Sequence, residues 1–322
     1  MTTTPSTMST TASRPALLVV GHGTKSAAGC AEFAALVERA QLRAAYADVA
    51  GGFLELAPPP IQDAVNRLVE AGHRTIDVVP LVLVAAGHSK GDIPAALKRE
   101  ELRHPGLSFR YGRPLGSHPD LLAVAERRVE EQVPREQWAD TAVVLVGRGA
   151  TDPDANAEVA KTARLLQEGR GLGTVETAFI SLAQPSVPAG LDRALRLGFR
   201  RVVVLPWFLF AGVLPDRIVA QTDEWAQRHP DVDVRTAGLI GPSDELAGVV
   251  LERWAEISGG DLRMNCDTCA YRVALPGFED KLGAPQTPHD HPDDPAHPHG
   301  HGHGHDHGHD HGHDHAATPA AG

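Results

Sequence analysis

The sequence predicts an α/β protein made of two tandem, similar domains, each a parallel sheet flanked by helices. Two observations support this prediction. Short runs rich in Val, Leu and Ile alternate with longer stretches of helical period, which is typical of βαβ units. In addition, segments of the first half recur in the second half, each 126 residues further along the chain.

The first half contains four apolar runs and four amphipathic stretches in alternation. The expected strands lie at residues 16–20, 52–56, 75–79 and 107–111. The expected helices lie at residues 28–45, 61–71, 93–103 and 119–132. Buried strands of a parallel sheet read as nearly continuous apolar runs, whereas helices repeat their apolar residues every three or four positions.

Three separate motifs recur at the constant shift, which indicates duplication of one domain. The pairs are Gly21-His22-Gly23 with Gly147-Arg148-Gly149, Phe53-Leu54-Glu55-Leu56-Ala57 with Phe179-Ile180-Ser181-Leu182-Ala183, and Val79-Pro80-Leu81 with Leu205-Pro206-Trp207. We therefore expect a disordered N-terminus (1–14), a catalytic domain (15–135), a duplicated domain (136–258), a Cys-x-x-Cys segment (259–285) and a disordered His-rich tail (286–322).

Composition excludes several classes of protein. A formal net charge of -11 argues against nucleic-acid binding, which usually needs a basic surface. The sequence has no signal-peptide pattern and no apolar run of about 20 residues, so no membrane span is expected. Three cysteines give no disulfide framework and favour a reducing cytoplasm. Formation of a homo-oligomer stays open.

Three metal-ligand side chains occur in the first copy and are replaced in the second. His22 corresponds to Arg148, Glu55 corresponds to Ser181, and His88 falls opposite Val213 or Leu214. A framework role would have kept these residues in both copies. The differences indicate one active half and one supporting half.

His22, Glu55 and His88 lie at or just beyond the ends of the first three expected strands. In open doubly wound sheets the first strand commonly lies between the second and the third, and ligands bind outside the carboxyl ends. The three side chains would then meet in one cleft. Two imidazoles and a carboxylate suit a divalent first-row ion, although a lone histidine at a strand end more often caps a helix or binds backbone.

These motifs resemble those of the sirohydrochlorin chelatases of the CbiX/SirB type, the class II tetrapyrrole chelatases. The resemblance rests on Gly21-His22-Gly23, Phe53-Leu54-Glu55-Leu56-Ala57 with Pro59, and Pro80-Leu81-Val82-Leu83 leading into Gly87-His88. It implies insertion of Co2+ or Fe2+ into sirohydrochlorin, for cobalamin or sirohaem. It further implies His22 as principal base and metal ligand and His88 as second ligand, with Glu55 as third ligand, proton acceptor or substrate contact.

The substrate implied by the resemblance is a flat polyanion, and two groups of residues suit it. Apolar residues after the third strand would wall the macrocycle, namely Leu81, Val82, Leu83, Val84, Ala85 and Ala86. Lys25, Lys90 and Arg148 stand near the site motifs and would bind its carboxylates. The alternative for these three cations is an ordinary solvated surface charge.

The C-terminal region resembles the extension of long family members, with a Met-x-Cys-x-x-Cys element and a His-rich stretch. Related long proteins are associated with an iron–sulfur cluster, but a cluster ordinarily needs four thiolates and this element offers Cys266 and Cys269. A cluster shared between chains, an accessory metal site and a redox pair all stay open. Twelve of the 18 histidines lie between His289 and His315, a composition that favours binding of Co2+, Ni2+, Cu2+ or Zn2+.

Two other functions compete with the chelatase hypothesis. A metallochaperone or metal store would explain the tail, but it would not need a duplicated α/β cleft. A hydrolase on the same sheet is disfavoured because the Gly-x-Ser-x-Gly nucleophile motif is missing. Both cobalt and iron accept these ligands, and the His-rich tail favours cobalt.

We predict that deletion of the residues after Gln286 leaves the fold and chelation at saturating metal unchanged, but weakens activity when metal is scarce. A tether that carries several weak sites raises the effective metal concentration near the cleft. Titration of full-length and truncated protein in a metal buffer measures this effect. Identical half-saturation values would mean that the tail does not supply metal to this site.

Overall fold

The computed structural model describes residues 15–259. The first repeat contains strands β1 (Ala16–Gly21), β2 (Asp48–Phe53), β3 (Thr75–Pro80) and β4 (Ser108–Tyr111), and helices α1 (Ala27–Arg43), α2 (Ile61–Glu70), α3 (Ile93–Arg103) and α4 (Pro119–Glu130). The second repeat contains strands β5 (Thr141–Gly147), β6 (Thr174–Phe179), β7 (Arg201–Pro206) and β8 (Asp233–Thr236), and helices α5 (Pro153–Gln167), α6 (Val187–Arg196), α7 (Val213–Arg228) and α8 (Asp244–Gly259). The N-terminus, Cys266, Cys269 and the His-rich tail lie outside the described residues.

Each repeat forms a four-stranded parallel sheet, with the order β2-β1-β3-β4 in the first and β6-β5-β7-β8 in the second. Val19 of β1 is paired with Gly51 on one side and with Val79 on the other. The prediction that the first strand lies between the second and third is therefore confirmed. The α/β fold class with a duplicated sheet is confirmed as well.

The second strand differs from its predicted position. It runs from Asp48 to Phe53, so Gly51 and Gly52 belong to the strand and Glu55 lies beyond its end. Close helix packing explains the two glycines, since a Cβ on Gly51 would lie 2.6 Å from Val37 Cγ2. A Cβ on Gly52 would lie 3.0 Å from the Cα of Ile61. Glycine at these two positions allows the helices to approach the sheet closely.

Successive side chains of the central strands β1 and β5 pack alternately into two different hydrophobic cores. In β1, Leu17 and Val19 pack into a large core shared by both repeats, while Leu18 and Val20 face a core of the first repeat alone. The corresponding strand β5 divides its side chains in the same way between the shared core and a core of the second repeat. This period of two gives each sheet one outer face and one face toward the shared core.

The last helix of each repeat packs against the other repeat. Helix α8 lies against α1 and β3 of the first repeat, and α4 lies against α5 and β7 of the second. Trp254 of α8 is 5 % exposed, and its Nε1 donates a hydrogen bond to Asp77 Oδ2 in β3 (2.8 Å). Arg110 donates two further bonds to the same buried carboxylate, at 2.6 and 2.8 Å. The repeats therefore interlock through exchanged helices.

Within residues 15–259, no helix combines the length and the apolar character needed to cross a membrane.

We predict graded losses of stability when Trp254 is altered. Trp254→Phe removes one hydrogen bond from a carboxylate that keeps Arg110, and should cost about 1 kcal/mol. Trp254→Ala also removes the buried ring and should cost about 3–5 kcal/mol. Denaturant unfolding measures both, with Leu197→Ala (59 % exposed) as the control that stays within about 0.5 kcal/mol of wild type. A Trp254→Ala protein as stable as wild type would contradict a structural role for the exchanged helix.

Candidate metal and active site

Three side chains from three strand ends converge in the first repeat. His22 follows β1, Glu55 lies two residues beyond β2, and His88 lies in the connection from β3 to α3. His22 Nε2 is 3.1 Å from His88 Nε2 and 3.2 Å from Glu55 Oε1. One ligand atom from each residue lies within 4.8 Å of the others. The structure thus brings together the three residues that the comparison of the repeats selected.

A main-chain contact holds the first two of these loops together. Glu55 N donates a hydrogen bond to His22 O (3.0 Å), and the next residue, Gly23, has a φ of 113°. A Cβ on Gly23 would lie 1.8 Å from Glu55 O, so no other residue fits without movement of the backbone. The close contact places the Glu55 side chain beside His22.

The second repeat keeps the same main-chain contact with different side chains. Ser181 N donates to Arg148 O (3.0 Å), and a Cβ on Gly149 would again lie 1.8 Å from the opposing carbonyl, that of Ser181. Leu56 and Leu182 also adopt the same left-handed conformation, with φ of 64° and 57°. The scaffold is therefore common to both repeats, whereas the ligand set belongs to the first repeat alone.

The hydrogen-bond partners of the two imidazoles orient their Nε2 atoms toward each other. His88 Nδ1 is 2.7 Å from Asp92 Oδ2, and His22 Nδ1 is 3.3 Å from Gly23 O. Both partners are acceptors, so we assign the proton of each neutral ring to Nδ1. The two Nε2 lone pairs then face each other beside the Glu55 carboxylate. Such a pair is repulsive unless a proton or a metal ion lies between them, so the arrangement suits a divalent cation.

The connection that carries His88 forms a π-helical turn, His88–Asp92, before α3 begins. Single π-helical turns are rare in proteins, and a large share of those that occur lie at functional sites. The turn places Asp92 four residues after His88, where its carboxylate binds the ring. Asp92 was not among the expected site residues, although the His-x-x-x-Asp spacing on a helical segment places the two side chains on one face.

The structure corrects the role expected for Lys90. Its ammonium is 2.7 Å from Asp152 Oδ2 and 3.1 Å from Asp154 Oδ2, and its side chain is 9 % exposed. Burial alone lowers the pKa of Lys90, but the hydrogen bonds and charges of the two carboxylates outweigh this effect and raise the pKa above its ordinary value. Lys90 is thus a buried, neutralised charge and does not present its ammonium to a substrate carboxylate.

Arg148 and Lys25 have different environments. Arg148 is half-buried, and its guanidinium forms no hydrogen bond or ion pair with any residue between 15 and 259. Burial lowers the pKa of Arg148, and the nearby charge of Glu55 acts in the opposite direction. The group stays ionised at neutral pH because arginine begins from so high a pKa. Lys25 is exposed in the loop after β1.

The apolar segment after β3 divides into two sets. Leu81 and Leu83 are 4 % and 9 % exposed and belong to the shared core, so they cannot wall a substrate. This corrects the expectation for these two residues. The intervening and following residues are half-buried and remain candidates for such a wall: Val82, Val84, Ala85 and Ala86.

Known proteins match both repeats of this chain. The CbiX family model matches residues 16–132 and 142–257, one match for each repeat. A sirohydrochlorin cobaltochelatase of Priestia megaterium is 36 % identical over 265 residues, which are 80 % of this chain and 85 % of that protein. A sirohydrochlorin ferrochelatase of Bacillus subtilis (strain 168) is 31 % identical over 220 residues, which are 68 % and 83 % of the two chains.

Two solved structures are similar over most of the described residues. SirB from Bacillus subtilis with Fe3+ has a TM-score of 0.68 and 29 % identity, and the match covers 79 % of this chain and all of that one. SirB from Bacillus subtilis subspecies spizizenii in complex with cobalt has a TM-score of 0.66 and 27 % identity, over 77 % and 97 % of the two chains. The duplicated sheet, the single ligand set and the matched sequence lead to one conclusion: the chain belongs to the CbiX family.

Proposed function

We propose that this chain is a sirohydrochlorin chelatase that inserts a divalent metal ion, Co2+ or Fe2+, into its tetrapyrrole substrate. The observation that carries the proposal is the convergence of His22, Glu55 and His88 on one point, with the two Nε2 atoms 3.1 Å apart beside the Glu55 carboxylate. The relatives named as cobaltochelatase and ferrochelatase support the reaction type. The metal ion is a substrate of this reaction.

The side chains of the site can hold the ion and then accept protons. Insertion of the ion into the ring forms bonds from the metal to the pyrrole nitrogens and releases two pyrrole protons. A nitrogen that ligates a metal cannot bind a proton at the same time, so His22 Nε2 becomes a base only as the ion leaves for the ring. Glu55, 3.2 Å from this atom, is placed to take the second proton or to pass it to solvent.

His88 keeps a fixed orientation through this exchange. Asp92 binds its Nδ1 at 2.7 Å, and a carboxylate in this position raises the basicity of the ligating nitrogen. We therefore assign His88 to metal capture and His22, whose Nδ1 has a longer contact of 3.3 Å, to capture and proton acceptance.

The substrate carries carboxylates, and we propose Arg148 as their principal contact. Its half-buried guanidinium has five donors, and the charge of Glu55 favours its ionised form. A cation next to a metal site weakens metal binding, so its presence is better explained by an anionic substrate than by the metal. Lys25 is a second, exposed candidate, and the half-buried Val82, Val84, Ala85 and Ala86 would contact the ring face.

A metallochaperone is the alternative function, and one assay separates it from a chelatase. The protein is incubated with sirohydrochlorin and either Co2+ or Fe2+, and the absorption spectrum of the ring is followed. A chelatase accelerates the spectral change above the rate without protein. A chaperone or store binds the metal and leaves that rate unchanged or lowers it. Comparison of the two ions also tests our preference for cobalt, which rests on the His-rich tail outside the described residues.

We predict that His22→Ala lowers turnover at least about 100-fold, because the change removes a ligand and a base together. His88→Ala should act chiefly on metal dependence. His104→Ala is the matched control, since His104 bonds Asn66 and lies outside the ligand set. Circular dichroism should show an unchanged fold in all three proteins. Near-normal turnover by His22→Ala would contradict the assignment of His22 as metal ligand and base.

We predict that Arg148→Gln raises the KM for sirohydrochlorin about 10-fold, which corresponds to the loss of about 1.4 kcal/mol of binding. The affinity for Co2+ should stay equal or increase, because a repulsive charge is lost. Arg148→Lys keeps the charge without the forked donors and should be intermediate. A lower kcat with an unchanged KM for sirohydrochlorin would instead assign Arg148 to the orientation of Glu55.

A further inference from the structure

A buried ion cluster joins the His88 turn to the second repeat. Lys90, two residues after His88, binds Asp152 and Asp154 at the start of α5. The side chains of all three residues are less than one-tenth exposed. Asp152 is also the N-cap of α5, where its Oδ1 accepts a hydrogen bond from Asp154 N (3.1 Å). The cluster thus connects a metal-ligand turn to a rigid helix end in the other repeat.

The residues that correspond to the cluster by the repeat, at the contact between the loop after β7 and helix α1, cannot form the same ion cluster. The constant shift of 126 residues puts Ser26 opposite Asp152, Ala28 opposite Asp154, and the exposed Asp216 opposite Lys90. There, the contact between loop and helix is a bond from Ala211 N to Glu32 Oε2 (2.7 Å). The second repeat also begins α7 directly at Val213, without a π turn. The cluster and the metal ligands therefore show the same asymmetry.

Other hydrogen bonds hold the His88 turn within its own repeat, and the ion cluster adds a link to the second repeat. Tyr111 Oη donates to Ser89 O (2.8 Å), and Lys90 N donates to Ala86 O (3.0 Å). Both bonds join the turn to the first sheet and its loop. Lys90 Nζ reaches across to the start of α5, so it links the turn to the second repeat.

Stability does not explain this cluster. Two carboxylates and one ammonium leave a net negative charge in a buried place, and apolar replacements of buried ion clusters are often as stable or more stable. A well-directed ion cluster does fix geometry, because it selects one arrangement of the groups that it joins. The candidate metal site needs a fixed geometry of this kind, because the Nε2 atoms of His22 and His88 lie only 3.1 Å apart.

We propose that Lys90, Asp152 and Asp154 are positioning residues for metal capture, through which the second repeat holds His88 in register with His22 and Glu55. The inference rests on the proposed function in one respect, that His22, Glu55 and His88 bind the metal ion. The second repeat thereby contributes to the metal site without a ligand of its own.

The test is Co2+ binding by the full chain in the absence of sirohydrochlorin, followed by the visible spectrum of the bound ion at high ionic strength. High salt screens the effect of the altered net charge. Lys90→Met/Asp152→Asn/Asp154→Asn removes the cluster and keeps a side-chain N-cap, since asparagine caps as well as aspartate. We expect a folded protein with at least a 10-fold weaker affinity for Co2+ at the cleft and a changed spectrum. In turnover, the KM for Co2+ should rise while the KM for sirohydrochlorin is unchanged.

Glu32→Ala is the matched control, because it removes the equivalent contact on the side without ligands and should leave Co2+ binding unchanged. The tail would obscure weak binding, so each protein is also compared in the form truncated after Gln286. Asp154→Asn alone gives a milder change that leaves a neutral Lys90–Asp152 pair. It should keep or raise the melting temperature and still weaken Co2+ binding two- to threefold.

Wild-type affinity and spectrum in the folded triple variant would overturn the proposal, and so would wild-type binding by Asp154→Asn if the triple variant does not fold. Failure of the proposed function gives a different result. In that case the wild-type protein binds Co2+ through His22 and His88, the cluster variants weaken that binding, and no protein accelerates metal insertion.

Discussion

The close main-chain contact between the first and second strand-end loops is the constraint on which the site depends. It joins Glu55 N to His22 O and leaves no space for a side chain at Gly23. The contact uses backbone atoms only, so it does not dictate which side chains stand beside it. The second repeat has the same contact with arginine and serine in place of histidine and glutamate. A fixed scaffold with exchangeable side chains explains how one duplicated fold supports two different roles.

The two sets of side chains act on opposite charges. The first repeat presents imidazoles and a carboxylate, which attract a divalent cation, and the second presents a guanidinium, which attracts carboxylates. A protein that joins a cation to a polyanionic ring needs both kinds of group within one cleft. The charge of Glu55 favours the ionised form of Arg148, which supports the proposal that both sets of side chains act in one reaction. Under the proposed function, the first repeat binds the metal ion and the second binds the anion, which is more specific than an active and a supporting half.

Much of this arrangement could be predicted from the sequence because it follows from repetition and periodicity. The constant shift identified the duplication, and the loss of ligands at Arg148 and Ser181 identified His22 and Glu55. What could not be predicted depends on contacts between distant segments. The second strand was expected four residues too late, because the helices that pack closely on Gly51 and Gly52 are not visible in the local sequence. Likewise, no local pattern shows that Lys90 meets Asp152, or that Leu81 turns into the shared core.

The exchange of α4 and α8 between the repeats has the geometry of two identical chains that swap a C-terminal helix, here joined into a single polypeptide. A symmetric dimer of that kind carries two identical clefts, and every mutation appears in both. Covalent fusion removes this restriction, since each copy then changes alone. In this chain the second copy lacks the three ligand side chains of the first, while its last helix still packs against α1 and β3 of the first copy. The covalent link between the copies therefore permits an asymmetric cleft, which a symmetric dimer of identical chains cannot form.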